Sequence, residues 1–264
     1  FIMVEYPVLG MTECDSHTIK SDRTLLSILK ILGDQERAGV TEIATEIGRA
    51  KSTVHGHLQS LHEAGFVIRD GSEYRLSLMF LDFGKGIQTT TPLYEVAQPK
   101  VDEIAETSEE KAWCFVEQRG YAVYLLGSQG KNSTKTPARV GHHRHIHQLA
   151  GGKAILAHLS ENRIEEILAE HGLPAATPNT ITDESLLHSE LETVRDRGFA
   201  LNLEEAMTGL NAISVPVLDV DGSVYGSLSI GGPAHRLTQS HMEEELAPML
   251  LGTANEVEIN IRHW

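Results

Sequence analysis

The sequence predicts an α+β chain of two domains: an N-terminal winged helix-turn-helix, a linker helix, and a C-terminal α/β domain built on a central antiparallel sheet. Three observations predict it. A chain of 264 residues with 41% apolar content can bury two cores at the usual size of about 100 to 200 residues per domain. Residues 17–77 hold three helical periods followed by a strand-turn-strand pattern. From residue 92 onward, apolar strand-like runs come in pairs around Arg119-Gly120 and Asp221-Gly222, with helical runs between them.

Residues 1–16 show no period and are read as a disordered or added extension, with Met11 as the natural start. No 18-residue apolar run occurs, and the opening residues lack a basic flank and a small-residue cleavage pattern, so a cytoplasmic protein with no membrane partner is expected. Cys14 and Cys114 belong to no C-x-x-C pair, which argues against a disulfide framework or a structural zinc site.

The first helix is expected from the cap Ser21-Asp22 through Leu25, Ile28, Leu29 and Leu32, ending at Gly33. After a loop from Asp34 to Gly39, Thr41 and Glu42 open a short helix that turns Ile43, Ala44 and Ile47 inward and stops at Gly48. A third helix spans Lys51 to Ala64. Val54, Leu58 and Leu61, at i, i+4 and i+7, form its buried stripe. At about 100° per residue, Ser52, Gly56, Gln59 and Glu63 then point the other way, with His55 beside them and His57 nearer the stripe. Gly65 ends the helix. Phe66–Arg69 and Glu73–Leu76 follow as strands around a tight Asp70-Gly71 turn.

Two readings of that polar face compete: a solvated side of a small core, or a surface that docks on a partner. Gly in mid-helix costs about 1 kcal/mol against Ala, and close approach of a partner's backbone would account for Gly56. Lys51, Ser52 and Thr53 crowd the first turn, where amides and small hydroxyls suit phosphate oxygens.

Leu25-Leu26-Ser27-Ile28-Leu29, Val40-Thr41-Glu42-Ile43-Ala44, Ala50-Lys51-Ser52-Thr53-Val54, Leu58, Leu61, Gly65 and Tyr74-Arg75-Leu76 resemble, in order and spacing, the DNA-binding half of IclR-family regulators. The resemblance implies a double-stranded operator as partner. We take Lys51, Ser52 and Thr53, then His55, Gly56 and Gln59, and the flanking Arg49, Arg69 and Arg75 as candidate contacts. The family often has a larger residue near Gly56, which shifts base reading toward His55 and Gln59; glutamine can pair with adenine in the major groove.

A linker helix is expected over residues 78–91, with apolar Leu78, Leu81 and Phe83 and an end at Gly84-Lys85-Gly86. The second domain, residues 92–264, opens with a helix from Val96 to Thr107. Strands Ala112–Glu117 and Tyr121–Ser128 follow, then a polar loop over residues 129–138. In Gly141-His142-His143-Arg144-His145-Ile146-His147, strand alternation would place His143, His145 and His147 on one face, which sets a metal reading against a solvated or interfacial cluster. The helix beginning Ala150-Gly151-Gly152-Lys153 leaves two explanations for its glycines: amides open to an anion, or close packing. Beyond it come a helix from Glu184 to Arg197, strands Ala212–Asp219 and Val224–Ile230, and a long helix from Gln239.

Gly151-Gly152-Lys153-Ala154, Thr180-Ile181-Thr182, Arg197-Gly198-Phe199-Ala200, Glu204-Glu205 and Ser229-Ile230-Gly231-Gly232-Pro233 resemble the IclR effector domain, whose fold is GAF-like. The resemblance covers residues 20–260. It implies a pocket lined by Ala150, Gly151, Asn202, Leu210, Ala212, Ser229 and Gly231, a small organic acid or aromatic metabolite as effector, no cofactor, and a homodimer or tetramer on DNA. Asn202 and Ala212 stand where members often have Asp and Cys, so a different ligand set is expected. An enzyme is not: no G-x-S-x-G appears, and Cys114 sits in an apolar strand. A sensor module without specific DNA binding is the rival reading.

The chain carries 22 basic and 37 acidic residues, a net charge of −15. Residues 17–80 hold eight of each sign, whereas residues 81–264 hold 14 basic against 26 acidic groups. With the acidity outside the DNA-binding half, phosphate contacts are spared its repulsion. An acidic, Lys-poor surface suits a cell with high internal salt, so a halophilic archaeal source is expected. Thermal unfolding should therefore move to higher temperature as KCl is raised from 50 mM toward about molar concentration, where screening of like charge is strongest. Equal melting at both salts would count against this.

Overall fold

The computed structural model describes residues 19–262; the expectations for residues 1–16 and for Cys14 lie outside the described residues. The chain divides into two units between Thr90 and Thr91.

In the first unit, α1 (Lys20–Gln35) buries Ile28, Ile31 and Leu32. The expected Ser21-Asp22 cap is not used. The helix starts earlier, behind extended Ile19, and the Ser21 hydroxyl donates to Asp22 instead (3.2 Å). Nor does Gly33 end it, because nothing at that position requires a left-handed turn; the helix stops at Glu36, whose φ is 63°.

A two-residue strand, β1 (Ala38–Gly39), precedes α2 (Val40–Glu46). The Gly39 amide donates to the Glu42 carboxylate at 2.8 Å, so Glu42 rather than Thr41 satisfies the helix start. Helix α3 (Lys51–Glu63) buries Val54, Leu58 and Leu61, the stripe its spacing predicts. Strands β2 (Val67–Asp70) and β3 (Glu73–Leu76) pair with Asp70 opposite Glu73, which makes Gly71-Ser72 the two-residue turn and not Asp70-Gly71. Gly71 takes φ 63°, the conformation this turn needs. The sheet order is β1-β3-β2, so Ala38–Gly39 extends the wing.

Helix α4 (Met79–Thr89) runs through Gly84 and Gly86, where an end was expected. It buries none of its residues; Phe80 and Phe83 meet Phe66 with ring centroids 5.5 and 5.9 Å away.

The second unit opens with α5 (Pro92–Ser108), longer at its start than expected because Pro92 fits the first turn, where no amide is needed. β4 (Lys111–Gln118) and β5 (Tyr121–Gln129) form a hairpin through Arg119 (φ 53°) and Gly120 (φ 79°). β6 (His143–His145) leads by a 3₁₀ turn, Ile146–Gln148, into α6 (Ala150–Leu156). α7 (Glu161–His171), which the sequence reading did not foresee, is capped by Ser160. α8 (Glu184–Arg197) is capped by Asp183 and ends at Gly198, φ 82°. β7 (Ala200–Leu203), β8 (Leu210–Leu218) and β9 (Val224–Pro233) follow. The last helical stretch comprises α9 (Gln239–His241), a π turn at Met242–Leu246, and α10 (Ala247–Ile261).

The six strands form one antiparallel sheet, β6-β5-β4-β9-β8-β7. One core packs α5 and α10 against it through Val101, Ile104, Val215, Leu228, Leu250 and Val257. A second core joins α6, α7 and α8 through Ala154, Ile164, Leu187 and Leu191 to Phe115 and Tyr124.

His147 lies buried in the 3₁₀ turn, with Nε2 3.1 Å from the Pro174 carbonyl. Burial, partly offset by that bond, lowers its pKa to about 4. The unfolded chain, with His147 near its ordinary 6.5, thus binds more protons between these values. This contribution to stability is complete above about pH 6.5 and is lost as pH falls toward about 4. Replacing His147 by Gln should flatten that part of a denaturant-measured stability curve.

Candidate nucleic-acid interface and ligand cavity

In the first unit the aliphatic stripe of α3 fixes its opposite face outward. Lys51, Ser52, Thr53, His55, Gly56 and Gln59 are all exposed, as are Arg49 and Arg69, while Arg75 is half-buried. No side chain caps the start of α3, and no acidic residue lies in its first turn. Among the described residues no ion pair neutralises Arg49, Lys51, Arg69 or Arg75. Arg69 Nε donates to the Gly71 carbonyl at 3.0 Å, which holds it on the wing. Gln59 donates to Glu63 at 2.8 Å. A Cβ on Gly56 would meet nothing within 4 Å, so the fold of this unit does not demand glycine there.

In the second unit, a cavity of about 110 Å³ opens beside β4, β5 and α6, several times the space one water needs (about 10–15 Å³). Ala150, Gly151, Asn202, Leu210, Ala212, Ser229 and Gly231 all line it. The polar side chains among them, Asn202 and Ser229, are bonded to the protein itself. The Asn202 amide donates to the Gln148 carbonyl (2.6 Å) and its oxygen accepts from the amides of Glu205 (3.1 Å) and Ala206 (3.4 Å), so the side chain ties the wall together. Ser229 donates to the Ile213 carbonyl at 2.9 Å. The glycines of α6 serve packing: a Cβ on Gly151 would fall 2.3 Å from the Phe115 ring, and one on Gly152 would fall 1.8 Å from the Ile146 carbonyl oxygen.

The walls also include residues the sequence reading passed over. Trp113, Phe115 and Tyr124 form an aromatic group, with Tyr124 edge-on to both others at 4.9 and 4.5 Å between centroids. Lys111, Arg144, Thr134 and Thr136 supply polar walls. The signal for Arg144 was present: the alternation that sets His143 and His145 on one side of β6 sends Arg144 to the other, buried one.

The three histidines of the metal reading do not share a strand face, because the chain leaves β6 before His147. No group of three or more His, Cys, Asp or Glu among the described residues is placed to hold a metal ion. Cys114 is buried in β4, and burial pushes its thiol up to about 12, far from a reactive thiolate.

Beneath the cavity, Lys153 is only 1% exposed, and its ammonium lies 2.8 and 2.9 Å from the two Glu205 oxygens and 3.4 Å from Glu190. Glu190 also accepts from Arg197 at 3.1 Å.

Against known families, residues 23–71 match the IclR helix-turn-helix domain and residues 87–259 match the bacterial transcriptional regulator IclR C-terminal domain. The chain belongs to the IclR family of transcriptional regulators. A probable HTH-type transcriptional regulator ArcR from Halobacterium salinarum is 30% identical over 235 residues, spanning 86% of this chain and 89% of that protein. The crystal structure of the Thermotoga maritima IclR superposes with a TM-score of 0.75 at 28% identity, covering 92% of this chain and 97% of that one. The PobR inducer binding domain from Acinetobacter, solved as a double mutant with 3-hydroxy benzoic acid, is similar over 62% of this chain and 96% of its own, with TM-score 0.57 and 26% identity. The chain is therefore a regulator with a DNA-binding helix-turn-helix and an effector-binding C-terminal domain, from a family of regulators and not of enzymes. No described helix is long and apolar enough to cross a membrane.

Replacing Glu205 by Ala would leave the buried Lys153 ammonium only the longer contact to Glu190, which Arg197 shares, and should lower the stability of this unit by up to about 3 kcal/mol in thermal denaturation. Joint replacement of Lys153 and Glu205 by Met and Leu should recover most of that loss.

Proposed function

We propose that this IclR-family chain, as a homodimer or tetramer in the cytoplasm of a halophilic archaeon, reads an operator of metabolic genes through α3. Lys51, Ser52 and Thr53, with Arg49, Arg69 and Arg75, contact phosphates; His55 and Gln59 address bases, and Gly56 lets the groove edge come close. The observation that carries this reading is the exposed α3 face itself: Lys51, Ser52, Thr53, His55 and Gln59 stand in solvent on the same helix as a glycine that the unit's own packing does not require. In the C-terminal GAF-like domain, Ala150, Gly151, Asn202, Leu210, Ala212, Ser229 and Gly231 wall the effector site. The effector acts by changing how sensor domains pack and hence the spacing of two recognition helices, since half-sites lie about one helical turn or a multiple apart.

Mobility-shift titration of the full chain on its own upstream DNA, from low to molar KCl, tests this. Binding should weaken with salt, and Lys51→Ala should weaken it about equally on all sequences while reducing the log–log salt slope by about 1. Gln59→Ala should instead flatten the preference for the native base at one operator position, a discrimination of about 1–3 kcal/mol. Absence of any shift at every salt would favour a sensor module without specific DNA binding and overturn the reading.

A further inference from the structure

The walls of the cavity describe its ligand more closely, on the footing that the cavity is the effector site. None of its lining residues is Asp or Glu, yet two are buried cations: Lys111, 6% exposed, and Arg144, 9% exposed. Neither has a carboxylate partner among the described residues. Lys111 Nζ donates to the Thr136 hydroxyl at 2.9 Å and stands 5.5 Å from the Trp113 ring centroid. The adjacent Glu110 is taken by Arg236, which holds both its oxygens at 2.5 and 3.0 Å. Arg144 Nη2 reaches only the neutral oxygens of Gln148 (3.4 Å) and Ala206 (3.3 Å), and its Nε is buried with no partner.

A charge held out of water is costly unless paired, and this unit pairs its other deeply buried cation, Lys153, with Glu205. Desolvation accordingly lowers the pKa of Lys111 from its ordinary 10.5. The two cations also sit apart. Lys111 pairs across the sheet with Gln129 and Arg144 with Ala122, positions seven residues apart on β5. At about 3.3 Å per residue that is roughly 20 Å of strand, shortened by two long side chains. Trp113 pairs with Gly127 and Phe115 with Tyr124, so the aromatic group lies between them.

We propose that the effector is a dianionic organic acid, one carboxylate held at Lys111, the other at Arg144, with an apolar body lying along Trp113, Phe115 and Tyr124. The Thr136 hydroxyl accepts one hydrogen bond from Lys111, and the ammonium has further N–H groups to give an arriving carboxylate. The aromatic faces then cover the body of the ligand while both of its charges are met.

The test uses the full chain at fixed KCl, with adipate, suberate and terephthalate as probes against the monoacids hexanoate and benzoate and the neutral adipamide. At least one diacid should raise the melting temperature and change tryptophan fluorescence at a concentration where the monoacids and the amide do neither. Lys111→Met and Arg144→Met should each weaken that diacid about tenfold or more, as loss of a charge-assisted contact does. The ligand-free variants should melt at or above the wild-type temperature, because each loses an unpaired buried charge. A wild type that favours monoacids, a panel with no effect, or variants that bind the diacid as well as wild type would overturn the inference. If operator binding persists in any of those outcomes, the regulator reading stands and only the ligand class fails.

Discussion

Lys153 can be 1% exposed in α6 only because Glu205 supplies both oxygens to its ammonium, with Glu190 and Arg197 completing the set. The position of Glu205 is in turn specified by backbone bonds. Its carbonyl accepts from the Thr180 hydroxyl at 2.6 Å, and its amide donates to Asn202 at 3.1 Å. Asn202 grips the Gln148 carbonyl ahead of α6. A closed path thus runs from α6 through the ion pair to the segment after β7 and back through Asn202. The cavity is walled by both ends of this path, through Ala150 and Gly151 on one side and Ala206 and Met207 on the other.

This path explains why the chain has Asn where a charged residue would do other work. An aspartate in place of Asn202 could accept from the Glu205 and Ala206 amides, but its carboxylate could not donate to Gln148. Asn does both, with its oxygen committed to the two amides. Among the wall residues the charged groups with capacity left are Lys111 and Arg144, and on the proposed reading recognition would shift to them.

Much of the first unit was legible because its signals are local. Val54, Leu58 and Leu61 repeat at helical spacing, and turn residues bracket the wing. What escaped is what two residues cannot signal alone: Ala38–Gly39 becomes a strand only because Tyr74 and Glu73 lie opposite. In the second unit the six-stranded order depends on β4 meeting β9 more than a hundred residues later, which no window of the chain records. The cavity shows the same division. The glycines of α6 were visible as glycines, but whether they serve a ligand or packing was settled by the Phe115 ring and the Ile146 carbonyl, both distant or unremarkable in sequence. Arg144 was hidden by its neighbours: three histidines attract a metal reading, while the residue between two of them is the one turned inward.

On the proposed reading the two sites would respond to salt in opposite senses, and the charge distribution is the reason. The proposed contacts from the α3 face to phosphates would release counterions, so added salt would weaken them. Residues 81–264 carry 14 basic against 26 acidic groups, a field that repels an approaching anion until salt screens it. Inside, Lys111 and Arg144 are largely withdrawn from solvent, and salt screens buried charges far less. High ionic strength would therefore remove the long-range barrier to the proposed anionic effector while leaving its short-range attraction nearly intact. An acidic exterior around a cationic cavity is in this sense consistent with a chain whose net charge is −15. High salt, which would call for a strong, multi-contact hold on DNA, would make the cavity easier for an anion to reach.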